Sequence, residues 1–144
     1  MGPDAVYELM NKNPAFALAT VDQGAPRVRG MLLYSAGAEG IIFHSGAFKD
    51  LHKQLLADPR VELYFFDPKT FVEVRVNATV EIVDDNAFKT EIANHPSRAF
   101  VKKWMESGNL EEFFKMFMVY RLKNPKACAW TMETNFAPKV WFDL

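Results

Sequence analysis

The sequence predicts an α+β fold in which about seven antiparallel strands curl into a barrel with helices at its periphery. Three observations carry that expectation. Apolar and polar residues alternate with period two, best in 71–83, where Val72, Val74 and Val76 interleave with Glu73, Arg75 and Asn77. Short turn sequences such as Asp22-Gln23-Gly24 and Asp67-Pro68-Lys69-Thr70 join successive runs, which favours antiparallel pairing. A helical period appears only in separate blocks between the strands, so no regular strand-helix-strand alternation of a parallel sheet is present.

Taken in order, residues 3–13 place Val6, Leu9 and Met10 on one helical face, with Asp4 as a candidate cap and Asn13-Pro14 as the stop. Residues 15–21 and 26–35 read as a hairpin, and 41–45 as a third strand that ends at Gly46. Over 48–57 the period lengthens, with Phe48, Leu51, Leu55 and Leu56 on one face and Asp58-Pro59 as terminator. Residues 61–66 and 71–83 are strands again. Residues 84–94 and 97–107 look helical around His95-Pro96, with Asp84 or Asp85 as a cap. Residues 114–122, 127–132 and 139–142 are expected to finish the chain as strands. The connection from 83 to 114 is the longest, which makes it the place for a cap or substrate contacts.

The 144 residues fit one domain, 1–144. Lys and Arg total 17 and Asp and Glu 18, a balance that argues against disorder and against a general nucleic-acid role. The longest apolar stretches, such as 15–21, fall well short of the ~20 residues of a membrane span. The start, MGPDAVYELM, lacks a basic segment followed by an apolar one. A cytoplasmic protein with no membrane partner is therefore expected. Cys128 is the only cysteine and forms no internal disulfide, and the three histidines lack metal-ligand spacing. Aromatic residues make up 14% of the chain, a surplus that suits a dense core or a core plus a subunit interface.

No glycine-rich phosphate loop is present. Two polar clusters stand at the ends of apolar strands instead. Arg27 and Arg29 open the strand PRVRGMLLY on one face. His44, Ser45, Gly46 and Lys49 occupy a strand-to-helix turn, where a hydroxyl, free backbone N–H groups and a lysine make a phosphate site chemically reasonable. The alternative is that Arg29 and Lys49 are solvated surface charges and Ser45 a helix cap.

The stretch RVRGMLLYSAGAEGIIFHSGAFKDLHKQLLADPRVELYFF resembles the FMN-binding half of the pyridoxamine 5′-phosphate oxidase-like split barrels. The correspondence rests on Arg29 opening one strand, His44 with Ser45 ending the next, Lys49 before the helix, and Asp58-Pro59-Arg60-Val61 leading into another strand. FVEVRVNATVEIVDD is similar to the family's central strand, and residues 13–142 follow the order of its small bacterial, nitroimidazole-resistance-type members.

The resemblance implies an FMN-binding split barrel in which Arg29, Ser45 and Lys49 hold the FMN phosphate. The backbone of Gly30, Met31, Leu32 and Leu33 would run along the flavin ring, and His44 would lie beside the cofactor or serve only as a strand-end histidine. Glu73 stands where the family often has a Gln on the flavin's polar edge, and a carboxylate cannot donate there unless protonated. Trp130 resembles a late-strand Trp that touches flavin across a dimer interface, although core packing also accounts for a Trp there.

A homodimeric oxidoreductase is implied, transferring hydride between a nicotinamide donor and a small-molecule substrate with no catalytic side chain required. The alternatives are a non-catalytic protein that binds or senses flavin, haem or deazaflavin, and a barrel that holds an apolar ligand. Tyr34 stands where the family's oxidase has a phosphate-binding Lys, and the oxidase's Arg-Leu-His-Asp-Arg type segment is not matched, so pyridoxamine phosphate is not the expected substrate.

Overall fold

Along β1 (Ala15–Asp22) every second side chain, Phe16, Leu18 and Thr20, is buried, as in a strand with one face on a core. This is one of seven strands in the computed structural model, which describes residues 1–144. The others are β2 (Ala25–Gly37), β3 (Gly40–Gly46), β4 (Arg60–Asp67), β5 (Val72–Ile82), β6 (Phe117–Trp130) and β7 (Phe142–Asp143). Hydrogen bonding follows the order β3-β2-β1-β4-β5-β6-β7, and β3 pairs with β6 as well, which closes the first six strands into an antiparallel barrel. The predicted split-barrel class with peripheral helices is therefore the observed one.

Five helices surround it: α1 (Pro3–Lys12), α2 (Asp50–Ala57), α3 (Asn86–Asn94), α4 (Ala99–Glu106) and α5 (Leu110–Met116), with a 3-10 turn over Pro96–Arg98. Strand alternation divides the apolar side chains into two sets. Phe16, Leu18, Phe43, Leu63, Phe65, Val74, Val76 and Tyr120 form the main core, and Val6, Leu9 and Met10 of α1 and Leu51 and Leu55 of α2 pack into it. On β3 and β6, Ile42, Phe117 and Val119 project the other way, where Ile92, Val101 and Phe113 from α3, α4 and α5 cover them. Both faces of these two strands are therefore covered over Ile41–Phe43 and Phe117–Tyr120, and no helix is long and apolar enough to cross a membrane.

The structure corrects the expected elements where two local rules compete. Residues 114–116 are helical rather than extended: the Asn109 side chain accepts from Glu112 N at 3.1 Å and caps α5, which outweighs the apolar run FFKMFMVY. The strands expected at 114–122 and 127–132 are one, β6, ending at Trp130. Between them Asn124 adopts φ 51°, and Asn124 and Pro125 of β6 pass opposite the single residue Ala78 of β5, a bulge that bends the strand without ending it. The last strand shrinks from 139–142 to Phe142 and Asp143, which pair with Ala127 and Lys126. At the other end of the chain, Gly2 rather than Asp4 occupies the first cap position. Asp85, not Asp84, caps α3 by accepting from Phe88 N at 3.1 Å.

Candidate functional site

A cleft of about 2120 Å³ runs along the outside of β2 between α2 and α4. Ligand pockets usually enclose roughly 300–1,000 Å³, so this is a groove with room for more than one small molecule. Arg29, Gly30, Met31, Leu32, His44, Ser45 and Lys49 all line it.

Arg29 is fixed before any ligand arrives. Its Nη1 donates to Leu18 O at 3.2 Å and Thr20 Oγ1 at 2.9 Å, and its Nη2 donates to Gln54 Oε1 at 2.5 Å. Thr20 completes the triangle by donating to the same Gln54 oxygen at 2.6 Å. Partial burial lowers the Arg29 pKa, opposed by the nearby Asp50 carboxylate, yet an arginine keeps its charge at any ordinary pH. Thr20 is buried among Phe16 and Leu18, a polar residue on a core face whose reason is this arginine. That anomaly was the available sequence clue to Thr20, whereas Gln54, five residues after Lys49, offered none.

Lys49 occupies the N-cap position of α2 in an extended conformation and is exposed, and Ser45 makes no cap. The alternative assignment of Ser45 as a helix cap is thereby replaced: the hydroxyl sits in the cleft wall. Asp50 and Leu51, the first two helical residues, also line the cleft, and an α-helix leaves its first N–H groups without internal partners. Their dipoles add to the Arg29 and Lys49 charges, so this end of the groove suits an anion with several oxygens.

Gly46 is favoured by close approach rather than by its backbone angle. A Cβ there would come within 2.6 Å of the Phe48 ring. Phe48 is 61% exposed at the cleft rim, meeting Trp104 edge-on at 6.0 Å, so its ring has somewhere to go. Gly46→Ala is expected to swing Phe48 away from Trp104 at a cost of about 1 kcal/mol. The accompanying change should appear in the near-ultraviolet circular dichroism.

His44 is held by a residue that sequence analysis missed. Arg98 Nε donates to His44 Nε2 at 2.8 Å. Burial, with added repulsion from the charges of Arg98 and Lys49, lowers the imidazole from 6.5 to about 4, so His44 is neutral at pH 7. Arg98 itself is 3% exposed and also donates to Leu33 O at 2.6 Å and to Ser97, while its guanidinium lies 5.4 Å from the centre of the Tyr34 ring. Nothing in HPSR marks this arginine as buried; its partners lie 54 and 65 residues away in sequence.

Leu33 turns into the main core, and Glu73 and Trp130 are the two other sequence candidates that the fold does not bring into the cleft wall of this chain. They oppose each other across β5 and β6. Glu73 accepts from Tyr64 Oη at 2.7 Å, which raises that phenol to about 12, and the Trp130 indole donates to Asn135 at 3.0 Å. Phe100, Val101 and Trp104 of α4 supply an apolar wall instead, so the long 83–114 connection does contribute to the site.

A six-stranded antiparallel barrel of this closure, flanked by helices and with an open groove beside β2, defines the split-barrel class. Residues 3–123 match the family model described as pyridoxamine 5′-phosphate oxidase, and the chain belongs to that family. Among curated relatives, it is 34% identical over 107 residues to the pyridoxine/pyridoxamine 5′-phosphate oxidase of Rhodopseudomonas palustris (strain HaA2), a match covering 72% of this chain and 50% of that one. The chain thus spans about half the length of the curated relatives it matches.

Solved structures share the fold. A NimC/NimA family protein from Clostridium acetobutylicum superposes with a TM-score of 0.75 at 19% identity, covering 100% of this chain and 94% of that one. A pyridoxamine 5′-phosphate oxidase-related, FMN-binding protein from Nostoc punctiforme gives 0.71 at 13% identity, covering 100% and 98%.

Proposed function

We propose that this chain is an FMN-binding oxidoreductase related to, but distinct in substrate from, the pyridoxamine phosphate oxidases. One observation carries the reading: Arg29, Ser45, Lys49 and the first turn of α2 line a single groove whose walls also carry Met31, Leu32, Phe100 and Trp104. Those donors suit a phosphate dianion, and the Arg29 network with Thr20 and Gln54 has already ordered the guanidinium.

In this reading the FMN phosphate lies against Arg29, Ser45 and Lys49, and the Gly30, Met31 and Leu32 segment borders the ring. FMN supplies hydride transfer between a nicotinamide donor and a small-molecule acceptor. The chain anchors, orients and partly excludes water, and His44 offers an uncharged imidazole rather than a general acid. The FMN-binding Nostoc structure and the family membership support the flavin assignment.

Against pyridoxamine phosphate stands Tyr34. It sits outside the cleft lining, between Phe88, His95 and Arg98, and carries no positive charge for a second phosphate. The test is anaerobic addition of NADH or NADPH to the FMN-loaded protein, followed by an acceptor. Steady nicotinamide consumption is expected, whereas flavin that stays oxidised would leave a binding or sensing protein.

The open side of the groove also suits a second copy of the chain. Val28 is 71% exposed on β2, and Phe136 is 99% exposed beyond β6. In a homodimer, Trp130 and Glu73 of the other copy would complete the site that they do not line within one chain. Light scattering should give a mass near 33 kDa, twice 16.5 kDa. A mass of one chain at micromolar concentration would rule the dimer out.

A further inference from the structure

His44 has two ring nitrogens, and the structure decides which one carries the proton. A guanidinium has only donors, so the 2.8 Å bond from Arg98 Nε requires Nε2 to be the acceptor. A neutral imidazole must then bear its hydrogen on Nδ1. No group of the chain accepts from Nδ1. The one polar side-chain atom that is sealed from solvent without a partner is Arg121 Nε, so His44 Nδ1 is not sealed, and His44 lines the cleft.

The ring is also prevented from turning. Phe117 packs at 5.1 Å and Phe100 at 6.2 Å, while Arg98 is tied to Leu33 O and Ser97 as well as to His44. Arg98 takes part in none of the ion pairs, so no carboxylate competes for it. Such a buried, carboxylate-free arginine is costly, which argues for a role beyond packing.

We propose that Arg98 is a positioning residue that locks His44 as its Nδ1–H tautomer, giving the cleft a fixed, uncharged hydrogen-bond donor for a neutral oxygen acceptor on a planar ring ligand. Phe100, Trp104 and Phe48 form the aromatic surroundings of that subsite. The charged groups facing the imidazole are Arg98 from the 3-10 turn and Lys49 after β3, both cations, which oppose its protonation. The ligand half of the proposal rests on the flavin reading above, and the tautomer half does not.

Long-range proton–nitrogen NMR on protein labelled with nitrogen-15 at histidine tests it. His44→Gln identifies the His44 signals among those of His52 and His95. The wild type is expected to show a single Nδ1–H tautomer unchanged from about pH 7.5 to about pH 5.5. Arg98→Lys, which keeps a cationic donor, should preserve it, whereas Arg98→Ala should release the proton to Nε2 and raise the titration point, with burial and Lys49 still holding it below the ordinary value. An Nε2–H tautomer in the wild type, or titration above about pH 5.5, overturns the proposal whatever the variants do.

FMN is then added, followed by benzamide as a neutral planar carbonyl probe. A shift of Nδ1 with FMN assigns the acceptor to the flavin ring, a shift only with benzamide assigns it to the second ligand, and no shift with either overturns the donor role. Failure of FMN to bind beside an intact Nδ1–H tautomer counts against the flavin reading alone.

Discussion

Replacing Arg29 with alanine is expected to weaken FMN binding about ten- to a hundredfold, measured by quenching of flavin fluorescence. A charge-assisted hydrogen bond contributes roughly 1.5–3 kcal/mol, and each 1.4 kcal/mol is about a factor of ten in affinity. The effect should lie in the upper part of that range because Arg29 is oriented beforehand. Its bonds to Leu18 O, Thr20 and Gln54 mean that little side-chain freedom is lost when phosphate arrives.

Lys49→Ala should act in the same direction, but Lys49 is exposed and at the lip of α2, so its loss should be smaller. Thr20→Val tests the support rather than the contact. It removes the hydroxyl that accepts from Arg29 and donates to Gln54, and should cost a few-fold in FMN affinity. An unchanged FMN affinity in both Arg29→Ala and Lys49→Ala would remove the phosphate assignment.

Acid should destabilise the protein through His44 by as much as about 3 kcal/mol between pH 6.5 and pH 4. The folded imidazole titrates near 4 and the unfolded one near 6.5, so across that window the unfolded chain binds the proton that the fold refuses. Stability from this group is complete above the unfolded value, falls as pH drops through the window and is flat below it. His52, also lowered by burial, adds to the same trend. Urea unfolding at several pH values should give His44→Gln a shallower acid limb than the wild type, because glutamine still offers Arg98 an acceptor but does not titrate. Equal slopes would mean that His44 is protonated as easily in the fold as out of it.

Much of this architecture is legible in the sequence where one local rule acts alone. Asn13-Pro14, Asp22-Gln23-Gly24 and Asp67-Pro68-Lys69-Thr70 mark breaks because proline and left-handed turn positions admit few alternatives. Val72, Val74 and Val76 show their face by alternation. At residues 113–126 two rules conflict: FFKMFMVY is apolar enough for strand or helix, and Asn124-Pro125 looks like a strand end but is a bulge.

The site divides in the same way. Arg29, Ser45 and Lys49 are local to a strand opening and a strand-to-helix turn, so their shared cleft could be expected from sequence. Arg98 meets His44 and Leu33 only because the 3-10 turn folds back over β2 and β3, and pairing at that separation leaves no periodic trace. Glu73 and Trp130 are cross-strand partners, as two strand residues on one face can be, and they lie just beyond the cleft lining, which on β4 ends with Tyr64 and Phe66.

The most direct test of the flavin-binding account is the visible absorption spectrum of the purified protein after incubation with FMN and gel filtration. A yellow protein fraction carrying about one flavin per chain is the predicted result. A colourless protein, with all FMN eluting in the small-molecule fractions, would contradict it.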